Sequence, residues 1–130
     1  MKALIVDDEP LARQRLRRLL EGLHVEVVGE CTDGLAALSW LKENKEPDVC
    51  FLDIQMPEMD GFETFRHLRA NRSTSKIPVV FLTAQKKDAS SIEAGLEMGA
   101  EGYLTKPIDT EELLVRAKTL IRLKRAEAEL

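Results

Sequence analysis

The sequence predicts one α/β domain built on a parallel sheet with helices on both faces. Three observations carry that expectation. Five short apolar runs alternate with five stretches of helical periodicity. Strict alternation of this kind implies parallel strands joined by helical crossovers. Four of the runs stop at or just before a polar residue, as strands buried on both faces do when they reach an open sheet edge. The chain has 130 residues, which suits one domain with a core that needs neither disulfides nor structural zinc.

The elements follow in order. Ala3-Leu4-Ile5-Val6 is a run rich in branched residues that ends at Asp7-Asp8-Glu9-Pro10. Pro10 suits the first turn of a helix, and Leu16, Leu19, Leu20 and Leu23 give that helix an i, i+3, i+4, i+7 stripe. Gly22 marks its end. Val25 to Gly29 reads as the second strand. Leu35, Leu38 and Leu41, with Ala37 and Trp40, mark the second helix. After Pro47, Val49-Cys50-Phe51-Leu52 is a third buried strand, closed by Asp53. A loop from Ile54 to Asp60 leads to Gly61, which opens a helix carrying Phe62, Phe65 and Leu68. Val79-Val80-Phe81-Leu82 is the fourth strand, ending at Thr83. Ala89, Ile92 and Leu96 give a fourth helix, and Gly102-Tyr103-Leu104 a short fifth strand ending near Lys106. Asp109 and Glu112 have capping-box spacing ahead of a last helix with Leu113, Ala117, Leu120 and Ile121 on its buried stripe.

Bulk composition narrows the function. Of the residues, 44% are hydrophobic and 32% charged, ordinary for a soluble folded chain. The net charge of −4 gives no basic field for nucleic acid. No apolar run approaches the length that spans a membrane, and the N-terminus lacks signal-peptide character. Cys31 and Cys50 have no CxxC spacing, which suits a reducing, cytoplasmic setting. Neither GxxxxGK[ST] nor GxGxxG occurs around Gly99 and Gly102, so nucleotide binding is unsupported.

In an open parallel sheet, ligands bind outside the carboxyl ends of the strands. Asp7, Asp8, Asp53, Thr83 and Lys106 all fall at that edge. Any one of them reads equally well as a helix cap or surface charge, but five at correct strand ends do not. Clustered carboxylates repel: two charges 4 Å apart at an effective dielectric near 20 cost about 4 kcal/mol. Such a set needs a proton or a cation, and an oxygen-only set selects a hard one, typically Mg²⁺. Lys106 and Thr83 add a positive charge and a hydroxyl donor suited to phosphate oxygens. A carboxylate can serve as nucleophile and form an aspartyl phosphate.

The motifs Leu4-Ile5-Val6-Asp7-Asp8-Glu9-Pro10, Asp53-Ile54-Gln55-Met56-Pro57 with Asp60-Gly61, Leu82-Thr83-Ala84, and Gly99 to Pro107 resemble the response-regulator receiver domain of two-component signalling. The resemblance reaches to about Leu120. It implies a flavodoxin-like (βα)5 sheet of order 2-1-3-4-5, with Asp53 as phosphoacceptor. It further implies Mg²⁺, with Mn²⁺ as a substitute, held by Asp8, Asp53 and the backbone carbonyl of Gln55, and by Asp7 through water. Lys106 would pair with the phosphoryl group, and the Lys106–Pro107 bond would be cis. Thr83 and Tyr103 would form the switch, acting on the face of the fourth helix, fifth strand and fifth helix. Gln55 and Gln85 would tune the lifetime of the acyl phosphate.

The same resemblance implies a histidine kinase or phosphotransfer protein as donor, with self-phosphorylation and slow autodephosphorylation in place of enzymatic turnover. It leaves open a homodimer on phosphorylation and a downstream effector domain, and it implies no direct contact with nucleic acid or membrane. A haloacid-dehalogenase-like phosphatase is the rival from the enzyme class. It fits poorly, because Gln55 stands where a second aspartate belongs and there is no room for a cap domain. A phosphorylation-independent interaction module is the third reading. His24 and His67 read as surface residues, Cys50 as a buried hydrophobe, and Met56 and Met59 as packing residues. Arg13, Arg15, Arg17 and Arg18 read equally as a solvated face or as a docking surface for a phosphodonor protein. The domain is expected over 1–121, with 122–130 extending the last helix towards an output domain or coiled coil. Leu123 and Leu130 stand one heptad apart in that extension.

Overall fold

A computed structural model describes residues 1–84 and 89–128. The chain alternates β1 (Lys2–Val6), α1 (Pro10–Gly22), β2 (Glu26–Cys31), α2 (Gly34–Glu43), β3 (Val49–Asp53), α3 (Gly61–Ala70), β4 (Val79–Thr83), α4 (Ala89–Glu97), β5 (Gly102–Thr105) and α5 (Thr110–Ala128). The strands form one parallel sheet, as the alternation predicts, in the order β2-β1-β3-β4-β5 that the resemblance implies. The first two crossovers run to opposite sides of β1, so the chain reverses direction beside it.

Side chains on successive strand residues point to opposite faces, and the sheet accordingly carries two cores. Leu4, Val6, Cys50, Leu52, Val79 and Phe81 face Ala37 and Leu41 of α2, Phe65 and Leu68 of α3, and Ile92 of α4. Ala3, Ile5, Val49, Phe51, Val80 and Leu82 face Leu16 and Leu20 of α1 and Leu113 and Leu120 of α5. Asp33, Asp60 and Asp109 cap α2, α3 and α5 by accepting from the backbone N–H of Ala36, Glu63 and Glu112, each satisfying a donor that a helix start leaves open. No helix among the described residues is long and apolar enough to cross a membrane.

Three local expectations change. The second strand runs to Cys31 and not to Gly29, because the ladder continues as far as β1 does, pairing Val6 with Cys31. Val25 stays outside it, its N–H donating to Leu20 at the end of α1. Leu35 is 53% exposed. The buried stripe of α2 is Gly34, Ala37 and Leu41, because the helix start approaches Thr64 too closely for a side chain: a Cβ on Gly34 would lie 2.1 Å from Thr64 Oγ1. Leu96 is 38% exposed, since α4 lies on Phe81 through Ile92 and Gly95.

Candidate functional site

The carboxyl edge of the sheet gathers the polar residues. Asp7 follows β1 and is 1% exposed. Its N–H donates to Cys31 O at 3.0 Å, its Oδ1 accepts from Glu9 N at 2.9 Å, and its carbonyl accepts from Arg13 Nη1 at 2.7 Å. Asp8 is exposed beside it. Asp53 closes β3 at 2% exposure, and Thr83 closes β4 at 1%. The loop after Asp53 folds back tightly: Gly61 N donates to Ile54 O at 2.8 Å. A Cβ on Gly61 would lie 2.3 Å from Asp53 O.

Lys106 reaches into this edge from the loop after β5, its N–H fixed on Thr83 O at 2.7 Å. Its ammonium lies 2.8 Å from Asp7 Oδ2, 3.3 Å from Asp53 Oδ1 and 3.4 Å from Glu9 Oε1. The Lys106–Pro107 peptide is cis. Gln55 is exposed in the loop two residues beyond Asp53, and Tyr103 is half-buried on β5 against the core beneath α4. Gln85 lies outside the described residues.

Burial is the main force on Asp53. Together with the negative charge of Asp7 and contact with Asp8, it outweighs Lys106 and pushes the Asp53 carboxyl up to about 7. Lys106 feels burial in the opposite direction, but contact with Asp7 and the charges of Asp53 and Glu9 hold its ammonium above the usual range. One ammonium thus serves three carboxylates, Asp7, Asp53 and Glu9, with Asp8 beside them.

The remaining negative charge fits a metal ion. Asp7, Asp8 and Asp53 each offer a carboxylate oxygen, all within 4.8 Å of one another, the one such group among the described residues. Asp7 Oδ2 is buried, with the Lys106 ammonium at 2.8 Å. An oxygen-only set of three carboxylates suits a hard divalent cation.

The sequence pattern of the response regulator receiver domain matches residues 3–118. The chain belongs to that family, the receiver module of two-component signalling. This receiver domain is similar to response regulator MprA of Mycobacterium avium (strain 104), at 39% identity over 98% of the chain and 54% of the relative. The chain thus spans about half the length of the curated relatives it matches. Among solved structures it resembles the receiver domain of Francisella response regulator 1452 (TM-score 0.81, 29% identity, 95% of this chain and 98% of that one). It also resembles chemotaxis response regulator CheY4 of Vibrio cholerae (TM-score 0.79, 31% identity, 92% and 97%).

Two features of this receiver domain were not singled out from its sequence. Glu9 joins the Lys106 ion pairs, and its place in the Asp7-Asp8-Glu9 run was the available signal. Arg13 and Arg15, read as a solvated or docking face, each donate to a backbone carbonyl: Arg13, half-buried, to Asp7 O, and Arg15, exposed, through Nη2 to Ile108 O at 2.9 Å. A cleft of about 360 Å³ opens between α1 and the loop after Lys106. Leu11, Ala12, Leu16, Pro107 and Ile108 line it together with Arg15, and Asp7, Glu9 and Lys106 also border it.

Proposed function

We propose that the chain is a phosphorylatable switch, with Asp53 accepting a phosphoryl group from a histidine kinase, a phosphotransfer protein or a small acyl phosphate. The observation that carries this reading is the placement of Asp53 Oδ1. It sits buried at a strand end, 3.3 Å from the Lys106 ammonium and within a group of three carboxylates.

In the transfer, an Asp53 carboxylate oxygen attacks phosphorus and a new O–P bond forms. The P–N bond of phosphohistidine, or the P–O bond of an acyl phosphate, breaks, and the leaving group keeps the electron pair. Work of this kind is mainly positioning and charge stabilisation. Lys106 is placed to neutralise an oxygen of the incoming group, and Thr83 at the next strand end supplies a hydroxyl on the same edge. Asp8, Asp53, the carbonyl of Gln55 and, through water, Asp7 would hold Mg²⁺, or Mn²⁺ in its place. When bound there, the ion would supply counter-charge that favours the ionised Asp53 carboxylate. Water later hydrolyses the acyl phosphate, with Gln55 and Gln85 setting its lifetime, so the chain modifies itself and is no turnover enzyme.

The phosphoryl group acts as a ligand that favours one of two arrangements. Thr83 and Tyr103 are the residues through which it would act on α4, β5 and α5, where Leu96, Met98 and Val115 stand exposed. The unbroken run of α5 to Ala128 and the greater length of the MprA relatives support an output domain after residues 1–121. A phosphodonor protein would dock over the apolar cleft beside α1, where Leu11 is 78% exposed.

Intact mass after incubation with acetyl phosphate tests the reading. A single phosphoryl adduct that needs Mg²⁺ and disappears in Asp53→Ala is expected. No adduct from acetyl phosphate or from a kinase donor leaves only a phosphorylation-independent interaction module.

A further inference from the structure

We propose that Arg13 and Arg15 are positioning residues, each holding one of the two loops that meet at the phosphoryl-accepting site. The inference rests on the reading of Asp53 as phosphoacceptor. Two residues apart on α1, they leave the helix about 200° apart and reach to opposite flanks.

Arg13 turns towards β2. Its Nη1 donates to Asp7 O at 2.7 Å, and its Nε lies 3.5 Å from Glu30 Oε1. Only 17% of its side chain is exposed. Asp7 is thus pinned on both sides of its residue, by Cys31 O at its N–H and by Arg13 at its carbonyl. Arg15 turns the other way, donating to Ile108 O at 2.9 Å across 93 residues of sequence. Ile108 is 4% exposed and its side chain packs in the core beneath α1, so the Arg15 bond adds a backbone anchor on α1 to the loop after Lys106. Lys106 then sits between two anchors, its own N–H on Thr83 O and the Ile108 carbonyl on Arg15. A guanidinium fork suits this work, because it spends one N–H on a carbonyl and keeps others for a second partner.

Arg13 is half-buried and spent on Asp7 and Glu30, Arg17 pairs with Glu21 and Glu30, and Arg15, though exposed at the rim of the cleft, is bonded to Ile108 O. A small phosphodonor therefore separates positioning by Arg15 from docking. Arg18 is exposed and without a partner among the described residues, which makes it the control.

The test is the rate of Asp53 phosphorylation of the whole chain by acetyl phosphate, read by intact mass across a Mg²⁺ titration. The small donor bypasses protein docking. Arg13→Met loosens the loop carrying Asp7 and Asp8, and should raise the half-saturating Mg²⁺ about tenfold. Arg15→Met loosens Lys106, and should lower the saturated rate about tenfold with the Mg²⁺ midpoint unmoved. Arg18→Met should match the wild type in both. If either methionine variant fails to fold, Arg13→Lys or Arg15→Lys is measured in its place, with the same parameter moving by a smaller factor. A folded variant with both parameters within about twofold of wild type overturns the proposal. So does a loss seen only with a kinase donor. A wild type that takes no phosphoryl group sinks the phosphoacceptor reading itself, whereas a phosphorylated wild type with unmoved variants sinks this inference alone.

Discussion

Lys106 and Asp7 form the closest ion pair of the site, Nζ to Oδ2 at 2.8 Å, with Asp7 1% exposed and the lysine side chain 13%. The same ammonium lies 3.3 Å from Asp53 Oδ1. Removing it leaves two buried carboxylates facing each other, and unpaired buried charge is the costly outcome. Lys106→Met should lose roughly 3 kcal/mol of stability at pH 7.5. The loss should shrink at pH 5, where Asp53 holds its proton. Urea unfolding at the two pH values measures both; an equal loss at each would break the link to Asp53.

Asp53 sets a second pH effect in metal-free protein. Its carboxyl rises from 3.8 to about 7 on folding. Below 3.8 it is protonated in both states and contributes nothing. Between these values the folded chain holds a proton that the unfolded chain has released, so stability falls as pH rises. Above 7 the penalty is complete, on the order of a few kcal/mol. Asp53→Asn should therefore flatten the slope of thermal stability between pH 4 and 7 and melt higher than wild type at pH 8. Added Mg²⁺ should raise the wild-type melting temperature at pH 8 by mass action, and raise that of Asp53→Asn less. A pH slope unchanged by the substitution would assign the effect to other groups.

The parallel sheet and the polar strand ends were legible because each apolar run stops where the backbone leaves the sheet, so Asp7, Asp53, Thr83 and Lys106 declare their edge; the strand order came from the family resemblance. Helix faces were legible only where large side chains define them. Leu16, Leu20, Phe65 and Leu68 are buried as their spacing says. Where two backbones approach closely, the buried face is made of small residues: Ala37 was read beside the leucines, but Gly34 was passed over in favour of Leu35. Gly29 looked like a strand end for the same reason. The bonds of Arg13 and Arg15 to backbone carbonyls left no trace in the sequence, because a carbonyl partner has no side chain to pair with theirs.

Gly61 and Gly22 should respond oppositely to alanine. At Gly61 the new methyl meets Asp53 O at 2.3 Å and Ile54 Cα at 2.8 Å. Backbone atoms cannot rotate away, so the loop behind Asp53 must shift. Gly61→Ala should cost about 1–3 kcal/mol and slow Asp53 phosphorylation. At Gly22, near the end of α1, nothing lies within 4 Å of the new Cβ. Gly22→Ala should stabilise by about 0.5–1 kcal/mol and leave phosphorylation unchanged. Paired unfolding and acetyl phosphate assays separate the two; a Gly61→Ala protein as active and stable as wild type would show that the loop has slack.

Gly29 offers a test of how β2 is packed. A Cβ there would lie 2.7 Å from Trp40 Cε2 and Nε1, so the indole of α2 occupies the space a side chain on β2 would fill. Gly29→Ala forces the ring aside and should destabilise by about 1–3 kcal/mol, the usual cost of overpacking. Trp40→Phe removes the atoms in conflict at some loss of buried area. If the clash is the cause, alanine at position 29 should cost less in the Trp40→Phe background than in wild type. That non-additivity is what contacting residues show in a double-mutant cycle. Trp40 is the only tryptophan of the chain, so its emission reports the displaced ring in Gly29→Ala directly. Additive costs with unchanged emission would mean that the strand, rather than the indole, gives way.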